Sequence, residues 1–262
     1  MKLKVHGCRG SVPVNSDKQR KYGGNTSCFE ITFGPYQIFF DTGTGFRTAK
    51  FGGPEIIKII LYSHWHHDHI QGLPFNPGIF DTNEEILVSS AITPSHLSRQ
   101  ILRQYFSGSF FPVDFIDSLG NFKIHEFDYI KERFKHDFKL DHVPLRHPGG
   151  ASGYRIKIKD KIICYLCDNE FDNLQISELK NFVEGANVVI WDGMFTDSEL
   201  LEKKGWGHSS ISQGVFLHKK HSVEKLLITH HTPDRTDDEL DHINSQLPEG
   251  VELAYDGMIC KI

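Results

Sequence analysis

The sequence lacks a cysteine framework. Its five cysteines, Cys8, Cys28, Cys164, Cys167 and Cys260, are odd in number and irregularly spaced, so they cannot all pair. A reducing compartment is the simpler reading, and it points to the cytoplasm. Cys164 and Cys167 form a C-x-x-C, but inside the apolar run IICYLC, which reads as a strand. A strand sends positions three apart to opposite faces, which favours buried thiols over a redox pair or a zinc clip. No apolar run is long enough for a membrane span. The opening MKLKVHGCRGS lacks the apolar stretch of a signal peptide. No Pro/Ser-rich linker, low-complexity tract or solenoid-period repeat divides the chain, so residues 1–262 read as one domain. Positive charge is not in excess: 29 Lys and Arg face 34 Asp and Glu, a net charge of −5. Long nucleic acid, which calls for a basic face, is disfavoured; a small anionic substrate is not.

What remains is an ordinary globular balance, 39% hydrophobic and 24% charged over 262 residues, ample for one sizeable core. Histidine is the surplus, with 16 residues. Residues 3–6 read as an opening strand, followed by a Gly/Pro/Ser/Asn-rich loop to residue 25. Residues 27–33 and 37–41 read as a hairpin turned at Gly34-Pro35. IIKIILY at 56–62 is nearly continuously apolar, so it belongs in the middle of a sheet, buried on both faces. Residues 86–89 form another strand. Residues 94–105 read as a helix, with Thr93 as N-cap and Pro94 at its first position. Residues 122–142 alternate charged and apolar residues, as solvated strands do. A second hairpin spans 153–158 and 161–166. Helices at 174–182, 209–218 and 237–245 then alternate with strands at 187–191, 225–229 and 251–254. Hairpins first and strand–helix alternation later suit two packed sheets with helices outside them, an α+β four-layer αββα sandwich, rather than a doubly wound parallel sheet.

His64, His66, Asp68 and His69 stand within six residues, directly after the apolar strand. Neutral imidazole and carboxylate are the usual ligands of catalytic zinc. His64 and His66 are two apart, so an extended segment points both to one side, where they can chelate one ion. Asp68 and His69 are adjacent, where the chain turns toward Ile70-Gln71-Gly72, and can address a second ion. The bland alternative is a surface histidine cluster with a helix-capping Asp68; its position after a fully apolar strand argues against that.

The segment His64-Trp65-His66-His67-Asp68-His69 matches H-x-H-x-D-H and resembles the signature of the metallo-β-lactamase superfamily. The resemblance continues in order along the chain, through His147 in RHPGGASGY, Asp168 in YLCDNE and His230 in LITHHTP. It implies one metal site of His64, His66 and His147 and another of Asp68, His69 and His230. Asp168 and a water or hydroxide would join them. Two such metals typically lie about 3.5–4 Å apart. The imidazole-rich set favours two zinc ions, with manganese or iron able to substitute. His67 falls at a variable position. His231 competes with His230, which is preferred because it comes first after its strand.

A bound zinc lowers the pKa of its water to about 7, so the implied activity is hydrolysis. His208, in GWGHSS, resembles the His-Ser-Thr element of the phosphodiesterase branch, which includes RNase Z and small cyclic-phosphate phosphodiesterases. Its implied role is an acid or phosphate clamp; its bland role is a neighbour of the following helix. Asp68, Asp168 and His208 are thus the candidate catalytic residues. Gly7-Cys8-Arg9-Gly10-Ser11 is either a backbone that approaches an anionic group or a structural turn. Asp41 and Asp192 either support the site or shape turns. RNase Z enzymes hold transfer RNA with a basic, Gly/Pro-rich arm that is not evident between Asp168 and His230, so a small, even cyclic, phosphodiester fits better. The aromatics Tyr105, Phe106, Phe110, Phe111 and Phe115 either meet the substrate or form a hydrophobic cluster or homodimer contact, the cluster being favoured. The competing functions are a lactonase or thioesterase of the same fold, and a non-catalytic ligand sensor.

Overall fold

The computed structural model describes residues 1–262. The first sheet contains β1 (Lys2–Gly7), β2 (Cys28–Phe33), β3 (Tyr36–Phe40), β4 (Ile57–Tyr62), β5 (Ile86–Ser90) and β6 (Phe122–Ile124). The second contains β7 (Lys139–Leu145), β8 (Ala151–Ile158), β9 (Lys161–Leu166), β10 (Val188–Asp192), β11 (Lys225–Thr229) and β12 (Val251–Leu253). The last strand, β13 (Ile259–Lys261), returns to the first sheet beside β1. The strand orders are β13-β1-β2-β3-β4-β5-β6 and β12-β11-β10-β9-β8-β7. The expected hairpins are β2–β3, turned at Gly34 (φ 48°), and β8–β9. Beyond each hairpin the sheets continue in parallel, β3 through β6 and β9 through β12.

The strand period of two sorts the side chains into three hydrophobic interfaces, and three interfaces make four layers. Ile38, Phe40, Ile59, Leu61, Val188 and Ile190 point between the sheets, where Tyr154 and Tyr165 also lie. Phe39, Ile60 and Tyr62 point to the opposite face of the first sheet, against Leu102 of the helix Ser95–Tyr105. Val189 and Trp191 point outward from the second sheet. There they meet Leu179, Leu217 and Leu240 of the helices Gln175–Val183, Ile211–Lys220 and Asp237–Asn244. The αββα sandwich is therefore the fold. The early hairpins exclude the doubly wound alternative, and β4 lies inside its sheet as its composition predicts. Cys164 and Cys167 fall in different layers, and all five cysteines are free and buried. No helix is long and apolar enough to cross a membrane.

Three local expectations need correction. Residues 122–142 hold two strands with a helix, Phe127–Arg133, between them. Phe127, Ile130 and Phe134 are helix-spaced and plug the inter-sheet core, and the intervening charges disguise that period. Thr93 does not cap the helix Ser95–Tyr105. Pro94 occupies the N-cap, Thr93 Oγ1 accepts from Trp65 Nε1 (2.8 Å), and Glu126 accepts from the Ser95 amide (2.9 Å). The helix Asp197–Glu202 and β13 were not expected.

Candidate metal centre

The chemistry-bearing residues lie just past the carboxyl ends of strands from both sheets. β4 is followed by Ser63 and His64. His66 then sits at the N-cap of a short helix, His67–Ile70, that buries Asp68 and His69. In the second sheet, β7 leads to His147, β9 to Asp168 and β11 to His230, while β10 ends on Asp192. β9, β10 and β11 are parallel neighbours, so Asp168, Asp192 and His230 emerge side by side. His230 takes φ 63° immediately after its strand.

The ligand-type atoms of His64, His66 and His147 fall into one group, and those of Asp68, His69, Asp168 and His230 into another, each within 4.8 Å of one another. These are the two sets the sequence resemblance implies. Asp168 stands between them: Oδ1 is 3.4 Å from His69 Nε2, and Oδ2 is 3.3 Å from His230 Nε2 and 3.8 Å from both His64 Nε2 and His147 Nε2. His147, Asp168 and His208 make a third group, so His208 stands within ligand distance as well. The rings of His208 and His147 are 5.2 Å apart, and those of His208 and His230 5.0 Å apart.

Each buried imidazole is anchored through Nδ1. His64 Nδ1 meets Ser63 Oγ (3.0 Å), and His69 Nδ1 meets Asp41 Oδ2 (2.8 Å). His230 Nδ1 meets Ser27 Oγ (3.3 Å), and His147 Nδ1 meets the Gly207 carbonyl (2.8 Å). The second nitrogens then have no place in the protein's own hydrogen bonding. His64, His69 and His230 each bury Nε2 without a partner. An unpaired buried polar atom costs about 1–3 kcal/mol, and native proteins rarely leave three together. His66 Nδ1 and His147 Nε2 also face one another at 2.9 Å, a pair of nitrogens that needs a proton or a cation between them. The residues therefore fit divalent cations, with the outer nitrogens fixing each tautomer. His66 is exposed and opens the centre to solvent.

Electrostatics divides the cluster. Burial lowers the pKa values of His64, His66 and His230, so these rings are held neutral, the form that binds metal. Burial acts the same way on His69, but Asp68, Asp168 and Asp41 outweigh it and raise its pKa. For Asp68 and Asp168 burial acts upward, yet the surrounding histidines hold both carboxyls well below the usual range. His208 is desolvated, but Asp192 Oδ2, 2.8 Å from its Nδ1, pushes it up to about 9.

The two competitors turn away. His67 is exposed beside the Tyr105 ring, and His231 Nε2 meets the Ala254 carbonyl (2.9 Å). Burial pushes the His231 pKa down to about 3. Asp41 accepts four hydrogen bonds, which favours the supporting role over the turn. The Gly7–Ser11 loop supports the cluster too. The Ser11 amide donates to Asp68 Oδ2 (2.8 Å), and a Cβ on Gly10 would lie 2.7 Å from His230 Nε2. Phe106, Phe111 and Phe115 pack on one another, the cluster reading, while Phe110 is exposed. Sequence reasoning gave no role to Tyr165, Glu170 and Gly207. All three stand in the segments YLCDNE and GWGHSS, beside Asp168 and His208.

An αββα sandwich with a histidine–carboxylate cluster across its strand ends defines a metal-dependent hydrolase scaffold. Residues 36–231 match the model of the beta-lactamase superfamily domain, and the chain belongs to that family. It is 24% identical to ribonuclease Z of Clostridium kluyveri over 87% of this chain and 86% of that protein. The metallo-beta-lactamase fold protein YhfI from Bacillus subtilis superposes with a TM-score of 0.73 at 18% identity, covering 99% of this chain and 98% of that one. A diphosphatase from the PhnP family superposes with a TM-score of 0.70 at 19% identity, covering 100% of this chain and 97% of that one.

Proposed function

We propose that the protein is a two-metal phosphodiesterase acting on a small phosphodiester such as a nucleoside cyclic phosphate. The observation that carries it is the convergence of seven ligand-type side chains, Asp168 among them, with His208 held beside them by Asp192. His64, His66 and His147 would hold one cation, and Asp68, His69 and His230 the other, with Asp168 shared. Zinc suits this imidazole-rich set. When bound, the cations supply an ionised water at neutral pH and stabilise charge on the phosphoryl oxygens.

The chain's own residues do the rest. The Ser11 amide fixes Asp68, and Asp41 orients His69. Asp192 holds His208 at Nδ1, and Nε2 makes no hydrogen bond within the protein. That nitrogen would donate its proton to the leaving alkoxide. A cavity of about 720 Å³ adjoins His147 and Gly207, within the usual size range of small-molecule sites. Its carboxylates are engaged: Glu170 by the Gly205 and Gly207 amides, Asp172 by Arg146, and Asp197 by Ser212. Lys204 forms no ion pair, so the cavity offers a free cation to an anionic ligand. The similarity to a ribonuclease Z supports phosphodiester chemistry, and the net charge of −5 favours a small substrate over long RNA. The buried, unpaired cysteines suit a cytoplasmic location.

Zinc-loaded protein assayed against bis-p-nitrophenyl phosphate, cyclic nucleotides, a structured RNA, a lactone and a thioester tests this reading. Turnover of the small phosphodiesters is expected, and His208→Ala should slow it about 10²–10⁴-fold with both metals retained. Turnover confined to the lactone or thioester would replace the reading. Cleavage confined to RNA would reverse the substrate assignment, and no turnover at all would favour a sensor.

A further inference from the structure

Glu170 closes the YLCDNE segment, two residues beyond Asp168. Its Oε2 accepts from the amides of Gly205 (2.8 Å) and Gly207 (2.9 Å), and Oε1 accepts a longer bond from Gly205 (3.0 Å). Its own amide donates to the Arg146 carbonyl at 2.7 Å, the residue before His147. The loop it grips closes the circuit, because the Gly207 carbonyl accepts from His147 Nδ1 at 2.8 Å. Gly205 and Gly207 have φ of 87° and 84°, a region that side chains rarely adopt. At Gly207 a Cβ would also lie 2.3 Å from His147 Nδ1. His208 follows directly, so the same backbone sets the start of the Asp192–His208 pair.

Resting on the metal-centre reading above, we propose that Glu170 is a positioning residue: it clamps the Gly205–Gly207 backbone so that the Gly207 carbonyl fixes the His147 tautomer and turns Nε2 to the metals. A lone glycine-rich loop is entropically free, and two amides bound to one carboxylate oxygen remove that freedom. The Gly207 carbonyl then sets which nitrogen of His147 carries the proton, and the other is left for coordination. Because Oε2 alone receives both of the shorter bonds, a neutral amide oxygen in its place keeps the clamp.

Zinc affinity measured by competition with a chelating dye, together with the visible spectrum of the cobalt-substituted protein, tests the clamp without any substrate. Wild type should bind two ions. Glu170→Ala should bind one of them about 10–100-fold more weakly, the usual cost of losing a group that orients a ligand, and should shift the cobalt spectrum. Glu170→Gln should restore both. Should the alanine variant fail to fold, Glu170→Asp, which retracts the carboxylate by one methylene, reads the same loss. Wild-type affinity and spectrum in Glu170→Ala, or no rescue by Glu170→Gln, would overturn the clamp alone. A wild-type protein that binds neither metal overturns the metal-centre reading and the clamp with it, while the absence of phosphodiester turnover touches neither readout.

Discussion

Asp41 has a left-handed backbone (φ 57°) and no solvent exposure. Its carboxylate accepts from the Ser63 amide (2.7 Å), Ser63 Oγ (2.7 Å), His69 Nδ1 (2.8 Å) and Tyr165 Oη (2.7 Å). A buried charge is tolerable only when its lone pairs are used in this way. Asp41→Ala should therefore destabilise the fold by about 2–4 kcal/mol, because four donors lose one acceptor at once. Asp41→Asn keeps a residue type that accepts positive φ, so it should fold with a smaller loss. Both should weaken zinc binding about 10–100-fold by freeing His69. Urea unfolding and dye competition measure the two effects; unchanged zinc affinity in both variants would make Asp41 a purely structural residue. From sequence alone Asp41 was undecided between this role and a turn, and the reason is physical. Its donors come from 22, 28 and 124 residues away, so no local pattern announces them. The ligand cluster was legible for the opposite reason, since four of its members share one short segment past an apolar strand.

At the scale of elements, legibility followed how completely a pattern was local. β4 declared itself through unbroken apolarity. The helix Phe127–Arg133 was hidden because its buried face is narrow and its charges mimic strand alternation. Packing between strands adds interactions that periodicity does not carry. Glu30 of β2 is buried between His6 Nε2 of β1 (2.6 Å) and Gln37 Nε2 of β3 (2.8 Å). Burial alone would raise its pKa, but the hydrogen bonds from His6 and Gln37 and the charge of His6 hold it below the usual range. A carboxylate with a depressed folded pKa adds stability above its unfolded value and loses it as pH falls through the folded one. The unfolded value for Glu is about 4.3. Wild type should thus exceed Glu30→Gln in urea stability at pH 7, and the gap should close progressively below about pH 4.3. A gap independent of pH would show that the carboxylate charge adds nothing.

Across the whole molecule the candidate centre is where the two sheets meet. His64, His66, Asp68 and His69 follow a strand of the first sheet, while His147, Asp168 and His230 follow strands of the second. Cations held by both sets would staple the sheets together, and the unfolded chain has no such preformed site. Binding free energy then becomes folding free energy. A site saturated at 100 times its Kd adds about 2.7 kcal/mol, and each kcal/mol raises the Tm of a chain of this size by about 2–4 °C. Zinc should accordingly raise the melting temperature of metal-free protein by several degrees, and a chelator should reverse the rise. Asp168→Ala should lose most of that increment, because the shared carboxylate is gone, whereas His208→Ala should keep it, because that ring is assigned to proton transfer. Calorimetric melts of the three proteins, with and without zinc, separate these roles. An equal zinc shift in wild type and Asp168→Ala would place the bound ion elsewhere, and loss of the shift in His208→Ala would make that histidine a ligand.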